Sequence, residues 1–573
     1  MTSQASRRAF LAAGGSIAAW AVTGAQAQDD APATIDDLQN ASLDAAPEAM
    51  SGGLTPRTIE EAEKLAGVRY TADERRQILA TIENDIEWFI KRRAVRLPNE
   101  LAPAQTFDPR LPDVKYELNE APSTFNIPER VALPVEEADI AFAPVTTLAS
   151  WIRNRRITSR ELTRLYISRL KQINPALKCV VSLLEESAMA QATAADDAMV
   201  RGEYRGPLHG IPWGAKDLFD TVAGRTTWGA TPYKDRQATS DAAVVQRLAE
   251  AGAVLTSKLT LGALAYGDIW FNGRTNNPFN PAQGSSGSSA GSAAATAAGL
   301  VSFSLGTETL GSIVSPCMRC GTTGLRPTFG RVSRTGAMTL CWSLDKVGPI
   351  ARTVEDCALI LDAICGADTG DPSSTDMPFS FDTNRDPREL VVGYNPAWFD
   401  QGSDLDRATL DAARARGMQL REVNLPDWPY DGLLPILMVE AASAFEDLTL
   451  SDEDDELVWQ DDAAWPNLFR AARFTSAIEY VQANRFRRMV MRMMHDVMAD
   501  VDVILAPSFA AGLLLITNNT GHPSLTLRTG FSDNGSPSGI TLIGKLYDEG
   551  TLCNAGIALE QELDVWHRRP ELG

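Results

Sequence analysis

The chain has 573 residues, of which 44% are hydrophobic and 22% are charged, and its formal net charge is −21. This composition excludes a disordered or fibrous chain, and the length predicts about two to four domains or one large α/β enzyme. The 74 acidic side chains outnumber the 53 basic ones, which argues against nucleic acid or anionic lipid as the main partner, because both need a basic surface.

The first 27 residues have the order of an export signal. Paired Arg7 and Arg8 precede an apolar stretch of small residues and a cleavage motif that ends at Ala27. The stretch is shorter than the roughly 20 apolar residues of a membrane span, so we expect no stable membrane insertion. The arginines favour a twin-arginine signal, which would engage the twin-arginine export machinery, with a general secretory signal as the alternative. We expect a periplasmic or secreted protein, whose charge changes from −21 to −23 on cleavage because the signal holds two arginines and no acid.

Three further regions follow the predicted signal. Residues 28–56 are rich in Ala, Asp, Pro, Ser and Gly without periodicity, which is typical of a linker. A capping box formed by Thr71 and Glu74 begins an apolar stripe with helical spacing, so we expect a helical N-terminal extension over 57–138. From about residue 139 the sequence pattern changes to alternating helix and strand signals, and we expect one large domain over 139–573.

Helix and strand signals alternate in this large domain. Ser240 can cap a helix that Gly252 ends, and the apolar run 253–256 is typical of a buried strand. The same order recurs over 289–298 and 300–305. Alternation of this kind predicts an α/β fold in which helices cover a sheet.

Seven cysteines in a chain of this length do not indicate a disulfide framework, which belongs to small cysteine-rich domains. Cys317 and Cys320 form a CxxC motif, for which a redox centre and half of a zinc site are the alternatives. No second CxxC or nearby histidine pair completes a zinc set, so buried thiols are the favoured interpretation. We therefore expect no metal site at these cysteines.

The segment 284–292, GSSGSSAGS, is a Gly/Ser-rich turn before an Ala-rich helix. It lacks the ending of a phosphate-binding loop, and the ordered elements after it argue against a flexible linker. A nucleophile turn remains, and 287–291 matches the GxSxG elbow of α/β-hydrolases with Ser289 at its centre. In that alternative, the histidines that could serve as the general base are His495, His522 and His567.

A hydroxyl nucleophile can use a lysine as its base when burial removes the lysine's proton. Lys216 follows the apolar run 210–215, whose burial would lower the lysine's pKa. The alternative is a lysine at a strand end that extends its amine to the surface. Ser312 lies in a Gly-bearing turn beyond the strand 300–305, where open α/β sheets place their sites and backbone N–H groups can form an oxyanion hole.

Lys216, Ser288 and Ser312 resemble the Ser–Ser–Lys triad of the amidase signature family. The supporting motifs, in chain order, are GIP at 210–212, KD at 216–217, NPFN at 277–280, SSAGSAAA at 288–295, CGTTGLRPTFGRVSR at 320–334 and SLDKVGP at 343–349. The resemblance covers about 139–568. This region is similar to the amidase subunit of Glu-tRNA(Gln)/Asp-tRNA(Asn) amidotransferases and to exported stand-alone amidases.

The resemblance implies a large mixed central β-sheet with helices on both faces. It implies a serine amidohydrolase that cleaves carboxamide-type C–N bonds of a small-molecule substrate without metal or cofactor. Ser312 would be the acyl nucleophile, neutral Lys216 the base, and Ser288, after a cis peptide bond, the bridge between them. The backbone N–H groups that would receive the oxyanion are those of Thr309, Leu310, Gly311 and Ser312.

Several positions depart from the family pattern. Leu310, Ser286 and Ala290 each stand in place of a glycine. Glu308 stands in place of an Asp and Val314 in place of an Arg, and this joint change suggests a lost ion pair. Two other functions therefore remain open: a catalytically impaired amidase fold that serves binding or assembly, and a hydrolase that uses Ser289. Export and the acidic charge argue against a tRNA-linked role.

The substrate is not specified by these motifs. Three aromatic residues in neighbouring segments are candidates for lining an apolar acyl pocket, although core packing is the favoured use of each: Trp213, Phe279 and Trp342.

Overall fold

The computed structural model describes residues 53–116 and 118–572. The predicted export signal at 1–27 lies outside the described residues, as does most of the predicted linker at 28–56. Among the helices that are described, none is both long and apolar enough to cross a membrane.

Two helices begin the described chain, α1 (Pro56–Ala66) and α2 (Ala72–Arg93). Helix α2 starts at the predicted capping box: Thr71 Oγ1 accepts the N–H of Glu74 at 3.3 Å, and the Glu74 carboxylate accepts the N–H of Thr71 at 2.7 Å. The described chain forms two compact units, one of residues 53–59 and 70–97 and the other of residues 60–69 and 98–572.

The second unit alternates helices and strands. Helices α3–α18 are, in chain order, Glu137–Ala141, Val145–Arg153, Ser159–Leu177, Glu185–Arg201, Ala243–Glu250, Ala290–Ala297, Val314–Cys320, Val354–Ile364, Pro396–Asp400, Asp404–Ala415, Leu434–Ala444, Glu446–Leu450, Trp465–Ala472, Ala477–Val497, Leu513–Thr520 and Glu549–Leu563. Strands β1–β15 are Val180–Leu183, Pro212–Lys216, Val254–Leu259, Ile269–Trp270, Gly273–Arg274, Asn276–Asn277, Asn280–Gly284, Phe303–Glu308, Thr323–Arg326, Lys346–Ala351, Val391–Tyr394, Gln419–Glu422, Val503–Pro507, Ser524–Phe531 and Pro537–Gly544.

Eleven of these strands form one mixed sheet in the order β1-β3-β2-β8-β10-β9-β14-β15-β13-β11-β12. Strand β2 runs parallel to β3 and β8, whereas β10 runs antiparallel to β8. Every residue of β2, β3, β8, β9 and β10 is buried, as expected when both faces of a sheet are covered. The predicted α/β fold with a large mixed sheet is confirmed.

The pairing of β2 with β8 positions the candidate site. Trp213 pairs with Phe303 and Ala215 with Leu305, so the carboxyl ends of the two parallel strands lie side by side. Strand β2 ends at Lys216, and the next residues of β8 therefore come beside that lysine. Open α/β sheets place their sites at this edge.

Candidate active site

Lys216 is completely buried at the end of β2. Its Nζ donates hydrogen bonds to Ser288 Oγ at 2.9 Å, to Thr307 Oγ1 at 2.8 Å and to Ser289 Oγ at 3.2 Å. All three partners are neutral hydroxyl groups. The unfavourable burial of the charged amine therefore outweighs the interactions that stabilise it, and the pKa of Lys216 is lowered from 10.5 to about 7. The alternative of a lysine that reaches the surface is wrong, and the neutral amine is available near neutral pH.

Ser288 follows a cis peptide bond from Gly287 and is buried. A side chain at position 287 would meet the carbonyl oxygen of Gly267 at 1.9 Å, so this approach requires glycine. Ser286 has a φ of 61°, the left-handed conformation that favours glycine, and its hydroxyl lies 2.6 Å from that of Ser315. The turn thus keeps a glycine-like backbone where the family's glycine is replaced by Ser286.

Ser289, the centre of the α/β-hydrolase alternative, is also completely buried. Its hydroxyl donates to the carbonyl of Thr307 at 3.1 Å and accepts the N–H of Thr307 at 3.2 Å, besides the bond from Lys216. Of the histidines available to that alternative, His522 bonds Thr520 Oγ1, and the Nδ1 atom of His567 lies 3.5 Å from Asp564 Oδ1. The contacts of Ser289 are those of a structural hydroxyl and do not support the elbow.

Ser312 lies in the turn between β8 and α9 and is half-buried. Its carbonyl accepts the N–H of Ser289 at 3.1 Å, which joins the two serine-bearing turns. Within the described residues its hydroxyl has no hydrogen-bond partner. Gly311 has a φ of 91°, whereas Leu310 is not among the residues with positive φ. The turn therefore requires glycine at 311 but not at 310, and Leu310 introduces no left-handed strain.

Glu308 is completely buried at the end of β8. Its carboxylate accepts the N–H groups of Ile313 at 2.7 Å and Val314 at 2.9 Å, and it pairs with Arg326 Nη1 at 2.5 Å. Burial alone would raise the carboxyl's pKa, but attraction to Arg326 and these hydrogen bonds lower it to about 2. Glu308 thus has an ion-pair partner, Arg326 of β9, although Val314 stands where the family has an Arg.

Thr309 is held by a chain of hydrogen bonds that begins in the predicted N-terminal extension. Its Oγ1 donates to Asp345 Oδ1 at 2.6 Å, and the other Asp345 oxygen accepts the N–H groups of residues 340–341 at 2.8 and 2.9 Å. The preceding residue, Thr339, exchanges two hydrogen bonds with the Asn99 amide, at 2.8 and 2.9 Å. No sequence motif marks Asn99, so sequence reasoning missed it.

Asp217 and Lys258 form a second buried charge cluster beside Lys216. Asp217 Oδ1 lies 3.0 Å from Lys258 Nζ, and both side chains are completely buried. The other Asp217 oxygen accepts the N–H of Thr227 at 3.0 Å. Lys258 therefore has a carboxylate partner, whereas Lys216 contacts neutral hydroxyl groups. Of these two lysines, Lys216 is the one suited to act as a base.

The aromatic candidates have different surroundings. Trp213 is buried and stacks on Phe303 with ring centroids 5.9 Å apart, so it belongs to the core, and Phe279 packs against Phe531 at 5.2 Å. Trp342 lines a cavity of about 400 Å³. The sequence-based interpretation of core packing is thus confirmed for Trp213 and wrong for Trp342.

The two cysteines of the CxxC motif are buried and free. Burial raises the pKa of the Cys317 thiol to about 12, so the reactive thiolate is disfavoured. The interpretation of Cys317 and Cys320 as buried thiols is confirmed.

Comparison with known proteins gives one consistent result. A family model described as Amidase matches residues 161–553. The chain is 34% identical over 473 residues to the "Putative amidase AmiD" of Mycobacterium bovis, covering 76% of this chain and 97% of that protein. It is 36% identical over 469 residues to a glutamyl-tRNA(Gln) amidotransferase subunit from Roseiflexus sp., with coverages of 73% and 95%. The solved structure of native peptide amidase from Stenotrophomonas maltophilia aligns with a TM-score of 0.67 and 28% identity, covering 75% of this chain and 98% of that one.

Proposed function

The chain belongs to the amidase signature family of amide-hydrolysing enzymes, and from this premise we propose that it is a serine amidohydrolase that forms an acyl-enzyme on Ser312. The observation that carries the proposal is the 2.9 Å hydrogen bond from buried Lys216 to Ser288, together with a lysine pKa of about 7. The substrate is a small molecule with a carboxamide-type C–N bond.

In the proposed acylation, Ser312 Oγ attacks the amide carbonyl carbon and gives its proton to Ser288, whose own proton passes to neutral Lys216. The backbone N–H groups of residues 309–312 receive the oxyanion of the tetrahedral intermediate. The relay then returns the proton to the leaving nitrogen as the C–N bond breaks. In deacylation water attacks the ester on Ser312, and a carboxylic acid leaves.

Two contacts support the proposed oxyanion hole. Asp345 holds the Thr309 hydroxyl, and Glu308 holds the N–H groups of the two residues after Ser312. Both carboxylates are buried. Donors that are fixed before substrate arrives need no reorganisation during the reaction, and each is typically worth about 3–4 kcal/mol.

Covalent labelling tests the nucleophile directly. We expect a fluorophosphonate probe to modify Ser312, because the proposed relay makes this hydroxyl the nucleophile, and peptide mapping of the labelled protein should locate the adduct there. The matched control is Ser289→Ala, which we expect to be labelled as well. An adduct on Ser289 would instead support the hydrolase elbow. Folded protein without label at either serine would indicate an inactive amidase fold.

We also propose that the precursor is exported through the twin-arginine route and acts in the periplasm or outside the cell. The paired Arg7 and Arg8 and the cleavage motif ending at Ala27 support this proposal. The free cysteines are consistent with it, because a protein that folds in the reducing cytoplasm before transport keeps its thiols reduced.

Changing both arginines to lysine is expected to retain a full-length precursor in the cytoplasm, because the twin-arginine route requires the pair. The transported wild-type protein is expected to begin at Gln28, which amino-terminal sequencing of the periplasmic fraction would show. Unchanged transport of the double variant, Arg7→Lys with Arg8→Lys, would point to the general secretory route.

A further inference from the structure

The cavity that Trp342 lines contains a buried cation without an ion-pair partner. Arg487 of α16 is 2% exposed, and no carboxylate within the described residues lies at ion-pair distance from it. Its guanidinium donates to Ser343 Oγ at 3.0 Å, to the Ser343 carbonyl at 2.8 Å and to the Asn519 carbonyl at 2.5 Å. A guanidinium has five N–H donors, so two remain after these bonds. Glu440 shares the Ser343 hydroxyl with Arg487, but its attraction only partly offsets burial, which lowers the pKa of Arg487 to about 10.

The acidic side chains of the same cavity are already occupied. Glu440 accepts hydrogen bonds from the Ser343 hydroxyl at 2.7 Å, the Ser343 N–H at 2.9 Å and the Tyr480 hydroxyl at 3.0 Å. Asp108 pairs with Arg110 at 2.8 Å. Both carboxylates therefore already accept hydrogen bonds from protein donors, which argues against a cationic ligand.

Two further guanidinium groups stand at the cavity's rim. Arg485 and Arg488 line the cavity and are exposed, and within the described chain neither has a carboxylate at ion-pair distance. Arg485 donates a hydrogen bond to the side-chain amide oxygen of Gln482 at 3.0 Å. The lining thus carries three guanidinium groups against two carboxylates, and the guanidinium groups keep free N–H donors, in a chain whose net charge is −21.

The rest of the lining is mixed, with polar side chains such as Gln105 and Asn484 beside apolar and aromatic ones. Phe107 lies under the Arg487 guanidinium at 3.3 Å from its ring centroid, and Trp342 and Met491 complete this part of the wall. A volume of about 400 Å³ falls within the range of about 300–1,000 Å³ that is usual for small-molecule sites. A ligand that complements both the arginine side chains and the apolar wall carries an anionic group and a flat apolar group.

We propose that this cavity is a second binding site, separate from Ser312, for a carboxylate that bears an aromatic or similarly flat apolar group. Arginine is the side chain best suited to carboxylates, because its planar fork can bind both oxygens. Trp342 and Ser343 belong to the loop whose Asp345 holds Thr309, so an occupant contacts the loop that supports the proposed oxyanion hole. The acid released by the proposed reaction is also a carboxylate.

Calorimetric titration of the Ser312→Ala protein with benzoate tests the site without turnover, and its failure is therefore separate from failure of the proposed amidase function. We expect one bound benzoate per chain and at least about tenfold weaker binding of benzyl alcohol, the neutral analogue, because it cannot form charge-assisted hydrogen bonds. No binding at millimolar benzoate, or equal binding of the two compounds, would overturn the proposal.

Variants of α16 locate the site. Arg485→Gln and Arg488→Gln are each expected to weaken benzoate binding by about tenfold, through loss of a charge-assisted hydrogen bond. Arg492→Gln is the matched control, because Arg492 lies on the same helix but pairs with Asp113 and does not line the cavity. Equal weakening by all three variants would show a general charge effect and contradict a site in this cavity. Loss of binding after fluorophosphonate labelling of Ser312 in the unmutated protein would place benzoate in the active site instead.

Discussion

Replacing Lys216 by alanine is expected to lower kcat/KM for an amide substrate by about 10²–10⁴-fold, the usual contribution of a general base. The amine of Lys216 is the group that can accept the Ser288 proton, and the two atoms are already 2.9 Å apart. The fold should survive, because Lys216 makes no ion pair within the described part of the chain, so its removal leaves no charge in the core without a partner. Steady-state kinetics with a thermal unfolding curve would check both expectations.

The pH profile distinguishes a base from a structural lysine. Because burial lowers the pKa of Lys216 to about 7, the neutral fraction increases as pH rises through 7. We expect kcat/KM to rise about tenfold per pH unit below this value and to level off above it. Residual activity of the alanine variant should lack this inflection. A wild-type profile that rises only toward pH 10 would contradict the assignment.

Lys346 supplies a matched control for the loss of a buried lysine. It lies at the start of β10, is 3% exposed, and bonds the Leu344 carbonyl. Burial lowers its pKa well below the usual 10.5, as it does for Lys216, but among the described residues its amine bonds the Leu344 carbonyl and no serine hydroxyl. Lys346→Met should therefore keep most of the activity. Equal losses in the two variants would mean that a buried lysine matters here for stability rather than for proton transfer.

The proximity of Lys216 and Ser288 was predictable from the motifs, although 71 residues separate them in the chain. The contact of Lys216 with Thr307 was not, because Thr307 comes beside Lys216 only through the parallel pairing of β2 with β8. A local pattern identifies strands but does not determine which strands are neighbours. The α/β class could therefore be predicted from alternation, whereas the sheet order could not.

The consequences of the departures from the family pattern also depended on tertiary structure. Leu310 raised doubt because a glycine is expected there, but the turn places its left-handed residue at 311. Glu308 and Val314 suggested a lost ion pair, and the partner of Glu308 proved to be Arg326, from a strand on the other side of β10. Asn99 lies 240 positions from Thr339, and no local signal connects residues so far apart.

Replacing Arg326 by methionine is expected to lower the free energy of unfolding by about 3–5 kcal/mol, because it leaves the Glu308 carboxylate buried without its cation. A double variant, Arg326→Met with Glu308→Gln, should recover part of this loss, since it removes the stranded charge. Arg388→Met is a control for the loss of a guanidinium at an exposed pair with Asp386, and it should leave the urea midpoint unchanged. A double variant no more stable than Arg326→Met would contradict the stranded-charge explanation.

The pH dependence of the free energy of unfolding tests the same Glu308–Arg326 pair through the titration of Glu308. The folded pKa of about 2 is depressed from the usual 4.5, so the carboxylate's contribution is fully present above about 4.5 and is lost as pH falls toward 2. Without Arg326, burial favours the neutral acid, and the variant should therefore lose less stability at low pH than the wild type loses. The gap between the two urea midpoints is thus expected to be wider at pH 7 than at pH 4. A gap independent of pH would mean that packing of the arginine side chain, rather than its charge, supports the turn that carries Ser312.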